Sequence, residues 1–283
     1  MKTIVNLLIK KAWLLATIMM VTVACNDNEL DLITDESEQA AVSEAEIDAV
    51  YEDIDDLASV SVKLTEENAG GKIGEAEDDR FCENVFSFEG DKQSGTITLD
   101  FGDGCTDRNG NVRSGKVVIE YMGGKLVPGS KIVTTLIDYS INDIQIDGVR
   151  TLENISASLE TYPTFKITLV GGEVIWPDGT NATREVDRVR VWINANNPLN
   201  DEHHVTGTAN GQTRRGVNYD MVITDTLVYK RACRVSRRGR LPVAGAKVIT
   251  TDNKIITVNY GDGECDKRVE IIVDGNREEV TVD

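Results

Sequence analysis

Five cysteines carry the plainest chemistry in this 283-residue chain. Cys25 follows a basic start (Lys2, Lys10, Lys11) and an apolar run, Ala12 to Ala24, that ends in Thr22-Val23-Ala24. The run has the length of a secretory core and is too short to span a bilayer as a helix. Small and β-branched residues before a cysteine look like a bacterial lipobox, at which the leader is removed and the new N-terminal Cys is acylated, although Thr22 stands where Leu is commoner. Cys25 is therefore expected to carry a lipid. An ordinary leader cut near Ala24 and an uncleaved anchor remain as alternatives. With Cys25 assigned, Cys82, Cys105, Cys233 and Cys265 are left. An even set in an exported chain favours disulfides, and no pair has the close spacing of a zinc knuckle.

Oxygen and nitrogen groups cluster in two places. Asp103, Asp107, Asn109 and Asn111 surround a glycine-rich stretch, and Asp262, Glu264 and Asp266 surround a second. Hard oxygen ligands on a tight loop could hold calcium, although the spacing is not that of an EF-hand. Turn chemistry accounts for the same residues. Lys230, Arg231, Arg234, Arg237, Arg238 and Arg240 form a basic run around Cys233. It reads either as a site for a glycan or other anionic ligand, centred on Arg237, Arg238 and Arg240, or as a solvated loop. Trp176 and Trp192 could stack on a sugar ring or pack in the sheet. Asp225-Thr226-Leu227 could accept an O-linked glycan or simply end a strand.

Other patterns do not lead to chemistry. Asp100-Phe101-Gly102 spells a kinase motif without the rest of the kinase signature, and no Gly-x-Ser-x-Gly elbow is present. The two histidines, His203 and His204, are neighbours and would face opposite ways in a strand. No catalytic residue and no organic cofactor are assigned.

The elements that position these groups divide the chain at about residue 80. Residues 26–80 hold 19 Asp and Glu against three Lys and Arg, out of a net charge of −18 for the whole chain. That balance disfavours nucleic acid as a partner. It predicts an acidic tether over 25–80. The acids right behind Cys25 fit either a surface-export signal or a plain charged tether. Within the tether, Ser43-Glu44-Ala45-Glu46 reads as a capping box. Ile47, Val50, Tyr51, Ile54, Leu57 and Ala58 follow at helical spacing, with acids on the other face, which predicts an amphipathic helix over 43–60 packed on the domain edge.

From Phe81 the texture becomes short Val/Ile/Thr runs separated by Gly, Asn and Asp about every ten residues. This predicts an all-β antiparallel domain over 81–283, a sandwich or open barrel. Gly95-Thr-Ile-Thr-Leu-Asp-Phe-Gly-Asp-Gly-Cys105 matches Lys254-Ile-Ile-Thr-Val-Asn-Tyr-Gly-Asp-Gly-Glu-Cys265. Each reads as strand, Gly-Asp-Gly turn and strand, in repeat units near 82–121 and 233–273, with a weaker third copy from Phe165 to Thr180. Each unit has an upstream cysteine, so the symmetry predicts Cys82–Cys105 and Cys233–Cys265. Each bridge would contribute about 3–4 kcal/mol in the chain-entropy picture.

Thr96 to Cys105, Arg113 to Tyr121, Asp147 to Thr151, Trp176 to Thr180, Val205 to Ala209 and Gly261 to Asp266 together resemble a family of uncharacterised Bacteroidota outer-membrane lipoproteins. The resemblance spans roughly residues 80–283. It implies a β-type lipoprotein held to the outer membrane by its lipid anchor, and it implies no activity. The expected function is a non-catalytic structural or binding module of the cell envelope. The rivals are a glycan or lipid capture protein with a concave face, and a hydrolase with an unidentified carboxylate site.

Overall fold

The computed structural model describes residues 35–67, 78–83, 85–235 and 241–281. Cys25 and its leader, the linker 68–77, and Arg237, Arg238 and Arg240 lie outside the described residues.

Among the described residues, one long helix precedes one sheet. Helix α1 (Asp35–Glu67) is followed by β1 (Phe86–Gly90), β2 (Ser94–Thr106), β3 (Val112–Met122), β4 (Lys131–Ile141), β5 (Ile144–Asn154), β6 (Thr164–Ile175) and β7 (Asn181–Ile193). Then come β8 (Glu202–Gln212), β9 (Asn218–Lys230), the short helix α2 (Arg231–Val235), β10 (Ala244–Thr251), β11 (Ile255–Asp262), β12 (Arg268–Val273) and β13 (Asn276–Thr281). The thirteen strands lie in the sheet in their chain order, each hydrogen-bonded to the next. All pairings are antiparallel. The fold is therefore all-β with an N-terminal helix, and its single sheet has no second layer, which removes the sandwich.

The sheet curls around α1. Asp53 of the helix reaches Arg113 on β3, and Glu44 reaches Lys247 on β10. A flat sheet would hold those two strands about 34 Å apart at ~4.8 Å per strand. The two carboxylates are separated along the helix by only about 14 Å. Curvature closes the difference. The inner face supplies Ile97, Leu99, Val117, Ile119, Ile167, Leu169, Ile249, Ile256 and Ile271, in one cluster with Ile47, Tyr51, Ile54, Leu57 and Val62 of α1. Tyr51 completes its burial by donating its hydroxyl to the Asp147 carbonyl at 2.6 Å.

Three expectations need correction. The helix is longer than 43–60, because no Gly or Pro interrupts Asp35–Glu67. Ser43 and Glu46 consequently lie inside it and cap nothing. The backbone N–H groups there already have intrahelical acceptors, and the Ser43 hydroxyl is buried with no hydrogen-bond partner. Nor is α1 a one-sided helix on an edge: from Ala40 to Thr65 only Glu46, Ala49 and Lys63 are exposed. The helix is the spine of the core, buried nearly all round.

The first Gly-Asp-Gly segment also differs from the expected turn, whereas the second, Gly261 to Gly263, leads out of β11 into the connection to β12. Gly102-Asp103-Gly104 is an irregularity inside β2, where the register with β3 shifts on both sides of Gly102. The chain reverses later, at Asp107 to Asn111, where Asp107 Oδ1 accepts from the N–H groups of Asn109 and Asn111 at 2.9 and 2.8 Å. In both segments the residue two before the first glycine accepts its N–H: Asp100 from Gly102 and Asn259 from Gly261, each at 3.0 Å. The disulfides are Cys82–Cys105 and Cys233–Cys265, with Cα separations of 6.3 and 5.3 Å.

Candidate functional site

Glu44, Asp48, Glu52 and Asp55 recur every three or four residues and so share one stripe of α1. The stripe faces cations on the inner surface of the sheet. On β7, Ala182, Arg184, Val186, Arg188 and Arg190 alternate inward, because side chains two apart along a strand share a face. Arg184 and Arg188 are only 1% and 2% exposed, which makes them core residues.

Their partners come from the helix. Arg184 Nη2 donates to Glu44 at 2.6 Å and to Asp48 at 3.1 Å, and Arg188 Nη1 donates to both Asp48 oxygens at 2.8 and 2.9 Å. Arg190 pairs with Glu52, and Lys247 pairs with Glu44. Arg150 of β5 grips Asp55 through Nε and Nη2, both at 2.9 Å. Asp53 is held by Arg80 at 3.2 Å and Arg113 at 3.1 Å. The described part of the acidic segment is thus no solvated tether, since its carboxylates neutralise a basic interior.

Glycines make room for this arrangement. Gly207 and Gly211 of β8 lie opposite Arg188 and Arg184. A Cβ on Gly211 would meet the Thr183 carbonyl at 2.0 Å, and one on Gly207 would meet that of Asp187 at 2.3 Å. Gly207 has a φ of +126°, a conformation that other residues rarely adopt.

Charge and burial compete in the titration of these groups. Burial alone would push the Asp48 carboxyl up, but Arg188 and Arg184 outweigh it and hold Asp48 down at about 2. Burial pushes the Lys247 ammonium down, even with the Glu44 carboxylate beside it.

A cavity of about 360 Å³ opens where the N-terminal half of α1 meets the turns β6–β7, β8–β9 and β10–β11. Ala40, Val42, Val217 and Ile256 line its apolar walls, and Ser43, Glu46, Asp178, Arg214, Arg215 and Lys254 supply polar groups. Arg214 is fixed from three sides. Its Nε donates to Thr180 Oγ1 at 2.6 Å, its Nη2 to Asp178 Oδ2 at 2.6 Å, and its guanidinium stacks 4.5 Å from the Trp176 ring centre.

The structure scatters the residues that the sequence had singled out. Asp107 spends Oδ1 on its turn and Oδ2 on Arg113 Nε at 3.0 Å, so its carboxylate is engaged on both oxygens, while Asp103 and Asn109 are exposed. The calcium grouping is not assembled, and among the described residues no three His, Cys, Asp or Glu side chains converge on a metal-sized site. Trp176 is covered by Arg214, and Trp192 stacks on His203 with ring centres 5.9 Å apart, so each has a ring face taken by the protein itself. Thr226 is exposed on β9. In the described part of the basic run, Lys230 donates to the Gly263 carbonyl at 2.7 Å and Arg231 lies 3.6 Å from Asp201.

The buried ion pairs and the cavity were missed in the sequence. Their signals were there: four acids at helical spacing, and three arginines at even spacing on one strand. No family model matches the chain, and no curated protein or solved structure matches it either.

Proposed function

We propose that this chain is a lipid-anchored protein of the outer membrane, tethered through Cys25, and that its β domain is a non-catalytic binding module. The lipobox-like leader and the resemblance to Bacteroidota lipoproteins support the anchor. Two disulfides fit an oxidising compartment.

One observation carries the binding-module reading: α1 fills the concave face of the sheet through paired, buried charges, while a cavity stays open beside it at the turn end. That face is where a curved-sheet capture protein would hold a glycan or a lipid. Here any ligand there would have to expel the helix and leave several buried cations unpaired, which costs several kcal/mol for each. Among the described residues, a site open to a ligand is the cavity at the sheet's turn end. A hydrolase reading finds less support, because a general acid needs a carboxyl pushed up. The displaced carboxyls of Asp48, Asp78 and Asp107 are all low, since arginines and N–H donors outweigh burial.

The test is fractionation of cells carrying the full chain, followed by intact mass analysis. The wild type should be found in the outer membrane with a lipid-modified N-terminal Cys25. Cys25→Ala should give a precursor or a soluble protein. An unmodified mature terminus at another residue would overturn the anchor. Turnover of glycoside or ester substrates by the purified protein would overturn the non-catalytic reading.

A further inference from the structure

We propose that the cavity between α1 and the β6–β7, β8–β9 and β10–β11 turns binds a small hydroxylated carboxylate, of the sugar-acid type. This deepens the binding-module reading above and rests on it. Three observations point to that chemistry.

The first is an unpartnered group. Ser43 lines the cavity, is 8% exposed, and its Oγ has no hydrogen-bond partner. A buried hydroxyl without a partner is a standing cost to the fold. A ligand hydroxyl in the cavity would satisfy it.

The second is a preorganised cation. Arg214 is held by Thr180, Asp178 and the face of Trp176 through Nε, Nη2 and the guanidinium plane. Nη1 takes no part in those hydrogen bonds. A guanidinium fixed before the ligand arrives gives up little side-chain entropy on binding a carboxylate.

The third is size and charge. About 360 Å³ falls in the range of small-molecule sites. Among the lining residues, Arg214, Arg215 and Lys254 are cationic and Glu46 and Asp178 are anionic. The apolar walls of Val42, Val217 and Ile256 suit the carbon face of a ring.

Because the ligand would touch α1 and the sheet together, binding should raise the melting temperature as well as release heat. The experiment is calorimetric titration of the purified protein with D-glucuronate, D-glucose and decanoate, repeated on Arg214→Gln and Ser43→Ala. Glucuronate should bind saturably in the millimolar range or tighter, and glucose should bind at least roughly tenfold more weakly. Arg214→Gln should abolish that preference. Ser43→Ala should weaken glucuronate while leaving the melting temperature of the free protein unchanged or higher, because it removes an unsatisfied hydroxyl. That second variant keeps the test sound if Arg214→Gln folds poorly. Absence of saturable heat with glucuronate would overturn the inference, as would equal binding by both variants and the wild type. Tighter binding of decanoate than of glucuronate would overturn the sugar-acid assignment. None of these failures bears on the Cys25 anchor or on binding elsewhere on the domain, which the fractionation and turnover experiments address separately.

Discussion

At the scale of single residues, the chain places acid and base where hydrophobic side chains usually sit. Such pairs contribute little net stability, because removing two charges from water offsets their attraction, yet breaking one side is severe. Asp55→Ala should therefore destabilise the domain by about 3–5 kcal/mol, since it leaves Arg150 buried without its bidentate partner and with only Glu52, 3.9 Å away, as counter-charge. The double variant Asp55→Leu with Arg150→Met should recover most of that loss in urea unfolding, and equal losses would show that the pair is not coupled. The pH dependence follows from Asp48. Its folded value, about 2, lies below its ordinary 3.8, so its contribution is fully present above about pH 4 and is lost as pH falls through 2. That contribution is about 2 kcal/mol. Melting temperatures measured from pH 5 down to pH 2 should fall steeply, and Asp48→Asn should flatten the curve.

At the scale of elements, β7 and β8 show how a strand can carry arginines inward. The two backbones run close together opposite Arg184 and Arg188, and glycine at 207 and 211 is what allows it. Gly207→Ala combines a contact of 2.3 Å with a φ of +126°, and should cost roughly 1–3 kcal/mol, read as a lower urea midpoint. An unchanged midpoint would remove the close approach from the explanation. The strands were legible in the sequence where hydrophobic alternation was clean. Thr96 to Phe101, Lys131 to Tyr139 and Ile255 to Tyr260 each fall within a strand, namely β2, β4 and β11. The disulfide partners were legible too, because matched segments put the four cysteines in equivalent places. The helix was legible through Ile47, Tyr51, Ile54 and Leu57, but its burial was not. Pattern reading sends every Asp, Glu and Arg to the solvent, so Asp48 and Arg188 each looked like surface, and only together do they form a core contact. The cavity was invisible for a similar reason. Ser43, Thr180, Arg214 and Lys254 come from four distant points on the chain, and only the curl of the sheet brings them to one place.

At the scale of the whole molecule, a single open sheet holds together because the helix inside it neutralises and fills its inner face. The disulfides act at the two ends of that sheet. Cys82–Cys105 ties the segment before β1 to the far end of β2, and Cys233–Cys265 ties α2 to the β11–β12 connection. Each closes a loop of moderate length, with sequence separations of 23 and 32. Reduction should therefore lower stability by about 3–4 kcal/mol per bridge. The check is calorimetry with and without reductant. A melting temperature that does not change would show that the helix and the sheet carry the fold without the bridges.

The helix also sets the timing of folding. It leaves the ribosome and any export channel before a single strand exists, yet the Lys247 that completes its charge balance lies 203 residues downstream of Glu44. Until β10 has emerged, the acidic stripe has no full set of counter-charges and the early strands have nothing complete to curl around. Contacts this remote along the chain make for slow folding. A nascent or truncated product ending before β10 would lack Lys247 beside Glu44 and the last four strands, so the buried charge at the N-terminal half of the helix would be incompletely paired and the hollow of the sheet partly open.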